Sequence, residues 1–183
     1  LNFSMLNAGT SRGIRNLQKI DAFDFFKSCP DNSFDLVTAF HIIEHIPFEK
    51  LFVFLKEIKR VASPNALILL ETPSPANPLV ASFEFYKDPT HLNPLPSDAI
   101  KFMVEYIGFK NVDVDFLHPH PTNEIAQDYL VIAKNSKLGE LSSKKIESGK
   151  LRLAYVSPLP PLRTGIADYS SELVLHLAKY YDI

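Results

Sequence analysis

The sequence predicts an α/β fold built on a right-handed parallel βαβ unit, and three observations between residues 34 and 78 carry that prediction. The first is a short apolar run, Asp35-Leu-Val-Thr-Ala-Phe40, entered from the turn-forming cluster Pro30-Asp-Asn-Ser33 and rich in β-branched and aromatic residues. The second is another run, Ala66-Leu-Ile-Leu-Leu70, which follows the breaker Pro64-Asn65 and ends at Glu71-Thr-Pro. The third lies between them. Phe48, Leu51, Phe52, Leu55, Ile58 and Val61 recur at three- and four-residue steps, opposite Glu49, Lys50, Lys56, Lys59 and Arg60, as on an amphipathic helix. Two continuous apolar strands joined by one helix imply parallel pairing with a right-handed crossover. Open sheets of this kind keep their chemistry at the carboxyl ends of the strands, where His41, Glu44 and His45 stand.

Composition describes a chain able to fill a core, with 46% hydrophobic and 22% charged residues in 183. A net charge of −2 argues against a nucleic-acid or anionic-membrane partner. The single Cys29 cannot form an internal disulfide, and no apolar stretch approaches the roughly 18 to 20 residues of a membrane-spanning helix. Nothing at the N-terminus has the basic-then-apolar order of a signal peptide, so a cytoplasmic location is expected. Leu1 in place of Met, and an end at Ile183 just after Tyr180-Tyr-Asp, read as a fragment.

The phrases DNSFDLVTAFHIIEHI, ILLETPSPANP and FYKDPTHLNPLP, in that order, resemble the C-terminal two-thirds of a class I S-adenosylmethionine-dependent methyltransferase of the kind found with cell-surface polysaccharide genes. The resemblance implies a doubly wound Rossmann-like sheet, S-adenosylmethionine as cofactor, a sugar or glycan acceptor and polysaccharide-assembly enzymes as partners. It also implies an incomplete sheet and an incomplete cofactor site. Leu1-Asn2 would follow directly on the acid that ends the second strand, leaving the Gly-rich first turn upstream. None of the six glycines is spaced as in a nucleoside-cradling loop. Gly9 and Gly13, around Thr10-Ser-Arg12, close a helix begun near Phe3 or, alternatively, form a cofactor loop.

In the family order, Ile14–Ile20 would be the third strand, Ala22–Ser28 a helix, Ser97–Ile107 a helix closed by Gly108, Phe109–Leu117 a strand and Tyr129–Lys134 the last strand. With its neighbours missing, the third strand would be an unpaired edge, so the first thirty residues are expected to be poorly anchored. The partial methyltransferase domain would thus span residues 1–134.

Methyl transfer needs an acceptor atom in line with the sulfonium methyl and a base for its proton. The resemblance places Asn2, Asp21, Ala22, Phe40 and His41 near the cofactor, and Glu44 and His45 as acceptor contact or base. Asp21 equally suits an N-cap. If the turn after Phe40 opens a helix, His41 and His45 share one face. Related quinone O-methyltransferases hold a divalent cation with an acidic residue where His41 stands, so no metal ligand is assigned. His41-Ile-Ile-Glu44-His45 is also the H-x-x-E-H string of inverted zinc peptidases, with a third ligand to come from Glu71, His91, His118 or His120. Pro47 argues against the long helix that such a site requires. Purely structural histidines are a further alternative. The loop Phe83–His91 would cover the acceptor site, with Tyr86, Asp88 and His91 gripping hydroxyls, or else be a surface loop with Asx turns. His118-Pro-His-Pro121 reads as a metal-binding string or, more simply, an exposed Pro-rich connection.

Beyond Lys134 the composition turns polar and charged, predicting a linker over 135–150. Residues 151–183 then read as strand Leu151–Val156, a Pro-rich loop ending at Gly165, and an amphipathic helix Ala167–Tyr181 with Tyr169, Leu173, Leu177 and Tyr180 on one face. This segment resembles the start of a retaining glycosyltransferase with two Rossmann-like domains. The resemblance implies substrate approach at Gly165 and a helix cap at Asp168; a plain strand–loop–helix unit fits as well. The two resemblances together imply a polypeptide carrying both activities. A non-catalytic docking module is the alternative.

Overall fold

The structure, a computed structural model, describes residues 10–11, 16–136, 151–156, 173 and 177–182. Its elements are α1 (Ala22–Ser28), β1 (Phe34–Phe40), α2 (Phe48–Val61), β2 (Ala62–Pro73), α3 (Ser97–Ile107), β3 (Lys110–Pro119), β4 (Ala126–Lys134), β5 (Leu151–Val156) and β6 (Tyr181–Asp182). The six strands of the described residues form one sheet in the order β3-β4-β2-β1-β5-β6. β1 pairs in parallel with β2, as the predicted βαβ unit requires, and β4 runs antiparallel to both β2 and β3.

The helices form where the apolar period placed them. On α2, Leu51, Phe54, Leu55, Ile58 and Val61 are buried, each contributing roughly 1.5–3 kcal/mol on leaving water. α2 packs on α1 along one flank and on α3 along the other. α3 ends at Gly108, whose φ of 100° is the left-handed conformation that closes a helix without a Cβ penalty. The Lys59 ammonium secures that end. It donates to the Gly108 carbonyl at 2.9 Å and to Asn135 Oδ1 at 3.2 Å, while lying over the Phe109 ring.

Four expectations change. The described residues of Ile14–Ile20 are not a strand. The N-terminal segment is nonetheless tied down from α1 onward: Phe26 is fully buried against Phe54, and Arg60 donates to the Phe26 and Cys29 carbonyls. β2 runs on both sides of Pro64-Asn65, because the breaker is absorbed as a bulge. The pairing shifts from Phe34 opposite Ala62 to Leu36 opposite Leu67, and Asn65 takes a left-handed φ of 67°. The folded unit also extends one residue past its expected limit: Asn135 is fully buried and donates through Nδ2 to the Ala62 and Ser63 carbonyls.

The fourth concerns the C-terminal segment. Leu151–Val156, read as opening a second unit, pairs in parallel with β1 from Leu36–Leu153 to Ala39–Val156 in the same sheet. The expected helix through Tyr181 gives way to a turn at 178–180, after which Tyr181–Asp182 pairs with Leu151 and Arg152. The remainder of that segment, Gly165 and Asp168 included, lies outside the described residues, as do Asn2, Gly9, Gly13 and the interior of the expected linker.

Candidate active site

Register gathers the site at one end of the sheet. Phe40 pairs with Glu71 across β1 and β2, and Pro73 pairs with Asp128 across β2 and β4. The chain leaves β1 through His41, whose left-handed φ of 51° turns it sharply, and its amide donates to the Glu71 carbonyl at 2.9 Å. A single 3₁₀ turn, Ile43–His45, follows and stops before Pro47. His41 and His45 therefore do not share a helical face.

Glu44 sits between them with 0% of its surface exposed. Its Oε2 accepts from the Thr72 hydroxyl at 2.9 Å. Its Oε1 lies 3.2 Å from His41 Nδ1 and 4.0 Å from both His45 Nε2 and His91 Nε2, so three imidazoles surround one oxygen. Among the described residues no N–H points at that oxygen well enough to be a hydrogen bond, and the contacts are ion pairs rather than aligned bonds.

His41 belongs to the interior. Its Nε2 is 3.4 Å from Glu71 Oε1 and 3.6 Å from Asp128 Oδ1, so three carboxylates enclose it. Burial alone would favour the neutral ring, but Glu44 and Glu71, and then the charge of Asp128, outweigh it and push the pKa up to about 10. Burial likewise disfavours the charged form of Glu44, yet His41 holds its carboxyl below the usual range. Burial dominates at Asp128, whose carboxyl is raised despite His41. Asp128 is tied on its far side to His118 Nδ1 at 2.9 Å.

His45 and His91 belong to the rim, their side chains 27% and 12% exposed. His45 Nδ1 lies 3.2 Å from the Thr90 carbonyl and 3.0 Å from the Thr90 hydroxyl oxygen, whose own proton goes to Asp88 Oδ1 at 2.6 Å. A carbonyl only accepts, so His45 Nδ1 carries a proton, and in the neutral ring the lone pair lies on Nε2. The same logic holds for His91, whose Nδ1 donates to the Phe85 carbonyl at 2.7 Å. The two rings lie 4.7 Å apart, and His91 packs on Phe85. The segment that carries His91 is held down by the Leu92 and Asn93 amides, which donate to the Glu44 carbonyl.

The other candidates fall as follows. Asp21 is the N-cap of α1, with Oδ1 accepting from the Phe23 and Asp24 amides; its second oxygen makes no hydrogen bond among the described residues. Ala22 opens that helix. Phe40 is buried edge-on against Tyr155 of β5. Asp88 closes an Asx turn on Thr90 rather than facing outward, whereas Tyr86 is 62% exposed. The zinc-peptidase pattern fails on geometry: His41 faces Glu71 and Asp128, and His45 faces His91, so the two imidazoles do not converge. Thr72, Thr90 and Asp128 carry no sequence signal that marks them, because their partners lie 28, 45 and 87 positions away.

Residues 3–114 match a family model described as a methyltransferase domain. Among solved structures, a SAM-dependent methyltransferase from Archaeoglobus fulgidus is 28% identical, with a TM-score of 0.65 over 73% of this chain and 72% of that one. The [4+2]-cyclase SpnF shares the fold at 14% identity and a TM-score of 0.54, covering 72% of this chain and 60% of its own. A phosphoethanolamine N-methyltransferase from Haemonchus contortus, solved with S-adenosylhomocysteine, does so at 16% identity and a TM-score of 0.50, over 64% of this chain and 36% of its own. No curated protein matches the chain. No helix among the described residues is long and apolar enough to cross a membrane.

Proposed function

Because the chain belongs to the methyltransferase domain family and is an S-adenosylmethionine-dependent methyltransferase, we propose that it methylates a hydroxyl of a sugar or glycan acceptor, with His45 as the base. The observation that carries the reading is the tautomer at the rim: Nδ1 is occupied by Thr90, which leaves a partly exposed Nε2 free to take a proton.

Asp21 fits the cofactor, since an exposed carboxylate with one uncommitted oxygen suits the adenine amino group. Phe40 and His41 form a closed wall beneath the site rather than contacts to it. The cofactor supplies an electrophilic methyl on a sulfonium. The protein supplies the rest: His45 Nε2 accepts the acceptor's proton as the oxygen takes the methyl, and Glu44, buried 4.0 Å away, stabilises the imidazolium that results. Phe83, Tyr86 and Leu92, exposed on the segment that carries His91, give an apolar platform for a pyranose face. Asp88 acts through Thr90 on His45 rather than on substrate.

A sugar acceptor from cell-surface polysaccharide assembly is supported by the three quoted phrases. The test is methyl transfer from radiolabelled S-adenosylmethionine to a panel of nucleotide sugars and lipid-linked glycans. His45→Ala is expected to lower the rate about 10²–10⁴-fold, with S-adenosylhomocysteine affinity unchanged. Full activity in His45→Ala overturns the base assignment, and transfer only to non-sugar acceptors overturns the substrate class.

A further inference from the structure

We propose that Glu44 Oε1, His45 Nε2 and His91 Nε2 form a binding site for one first-row divalent transition cation, zinc foremost, open on its outer side. One ligand atom from each of these residues lies within 4.8 Å of the others. Bonds of about 2.0–2.2 Å set the ligand atoms of a tetrahedral cation roughly 3.3–3.6 Å apart, so the three need to close by about an ångström, within the reach of side-chain rotation.

Two features of the geometry point to a cation. The first is an under-used acceptor: Glu44 is 0% exposed, and its Oε1, beside His41 Nδ1 at 3.2 Å on the inner side, accepts no hydrogen bond among the described residues and faces His45 and His91 at 4.0 Å on the outer side. The second is the outer shell. Both histidines spend Nδ1–H on a backbone carbonyl, of Thr90 and of Phe85, so that in the neutral ring the Nε2 lone pair is the one directed inward, the arrangement that metal-bound histidines require. Thr90 is in turn fixed by Asp88, and Glu44 Oε2 by Thr72.

Two imidazoles and one carboxylate select a transition cation over magnesium or calcium, which take oxygen donors. Three protein ligands with partly exposed histidines leave a fourth position for water or a substrate oxygen. A hydroxyl bound there would ionise more readily, with His45 then held as ligand instead of base; that role rests on the methyl-transfer reading above, whereas binding does not.

The test is titration of the whole chain, stripped with chelator, with Co²⁺ followed by visible absorption, and then displacement by Zn²⁺. Expected are d–d bands saturating at one ion per chain and lost on adding zinc. His91→Ala and His45→Ala should each abolish them with an unchanged circular dichroism spectrum, and Thr90→Val should weaken binding about 10-fold. The double variant His118→Ala/His120→Ala should bind as the parent does. Absent bands, bands that persist in His91→Ala, or bands that vanish in His118→Ala/His120→Ala overturn the proposal. Calorimetry with S-adenosylhomocysteine on the same samples separates the two readings: a protein that binds cobalt but no nucleoside defeats only the methyl-transfer role, and one that binds nucleoside but no cobalt defeats only the cation site.

Discussion

Glu44 divides the site into two clusters of the same residue types that behave in opposite ways. On its inner side, His41 is locked among Glu44, Glu71 and Asp128. On its outer side, His45 and His91 have their Nδ1 atoms tied to backbone oxygens and their Nε2 atoms free. The difference is solvent. A buried imidazole surrounded by carboxylates is a fixed cation that holds three strands together; a rim imidazole with its tautomer set by a carbonyl can exchange a proton or bind a metal. Residue identity alone does not separate structural from chemical histidines, whereas burial and the partner of each nitrogen do.

Breaking the inner cluster should produce the largest effect. His41→Ala leaves Glu44 and Glu71 buried without their counter-charge, and a loss of about 3–5 kcal/mol in urea unfolding is expected; a loss under 1 kcal/mol would show that the cage contributes little. The pH profile sharpens the same point. His41 has a folded pKa of about 10, raised above its ordinary 6.5, so its contribution is complete below about pH 6.5 and disappears as pH rises through about 10. Glu44 is depressed, so its contribution is present above its ordinary 4.5 and is lost as pH falls through its lowered value. The raised Asp128 opposes Glu44 on the acid side. Urea midpoints at pH 7 and pH 10.5 should differ in the parent and converge in His41→Gln.

The outer cluster should be nearly silent in stability. His45→Ala and His91→Ala are expected to cost under about 1 kcal/mol in thermal unfolding, because partly exposed side chains give up little on truncation. The smallest effect is reserved for Thr38 of β1, whose hydroxyl is buried without a hydrogen-bond partner among the described residues. Thr38→Val should be neutral or stabilising by up to about 1 kcal/mol, since it removes an unmet polar group rather than a bond.

The βαβ core was legible because its signals are local: an apolar run, a helical period and a second run all declare themselves within forty residues. Gly108 announced the end of α3 for the same reason. The Ile14–Ile20 strand failed because strand formation needs a neighbour that local pattern does not supply. β5 was readable as a strand but not as a partner of β1, since pairing across such a distance leaves no trace in either segment. At the site, Glu44 and His45 were recognisable from their place after the first strand. The enclosure of His41 was not, because Glu71 and Asp128 reach it only through the register of three strands. His91 was visible as a candidate contact, but its convergence with Glu44 depends on the amides of Leu92 and Asn93 folding the loop back.

The pairing of β5 with β1 has a kinetic meaning. β1 and β2 meet through one short helical crossover, whereas residues 41–150 intervene between β1 and β5. Closing so long a segment carries an entropic cost that grows with its length and is recovered over only four paired positions, Leu36–Ala39 with Leu153–Val156. The β1–β5 seam is therefore expected to form later and to open sooner than the β1–β2 seam. Amide hydrogens of Leu153 to Val156 should exchange at a free energy well below that of β2 and β4, while the inner histidine cage stays closed.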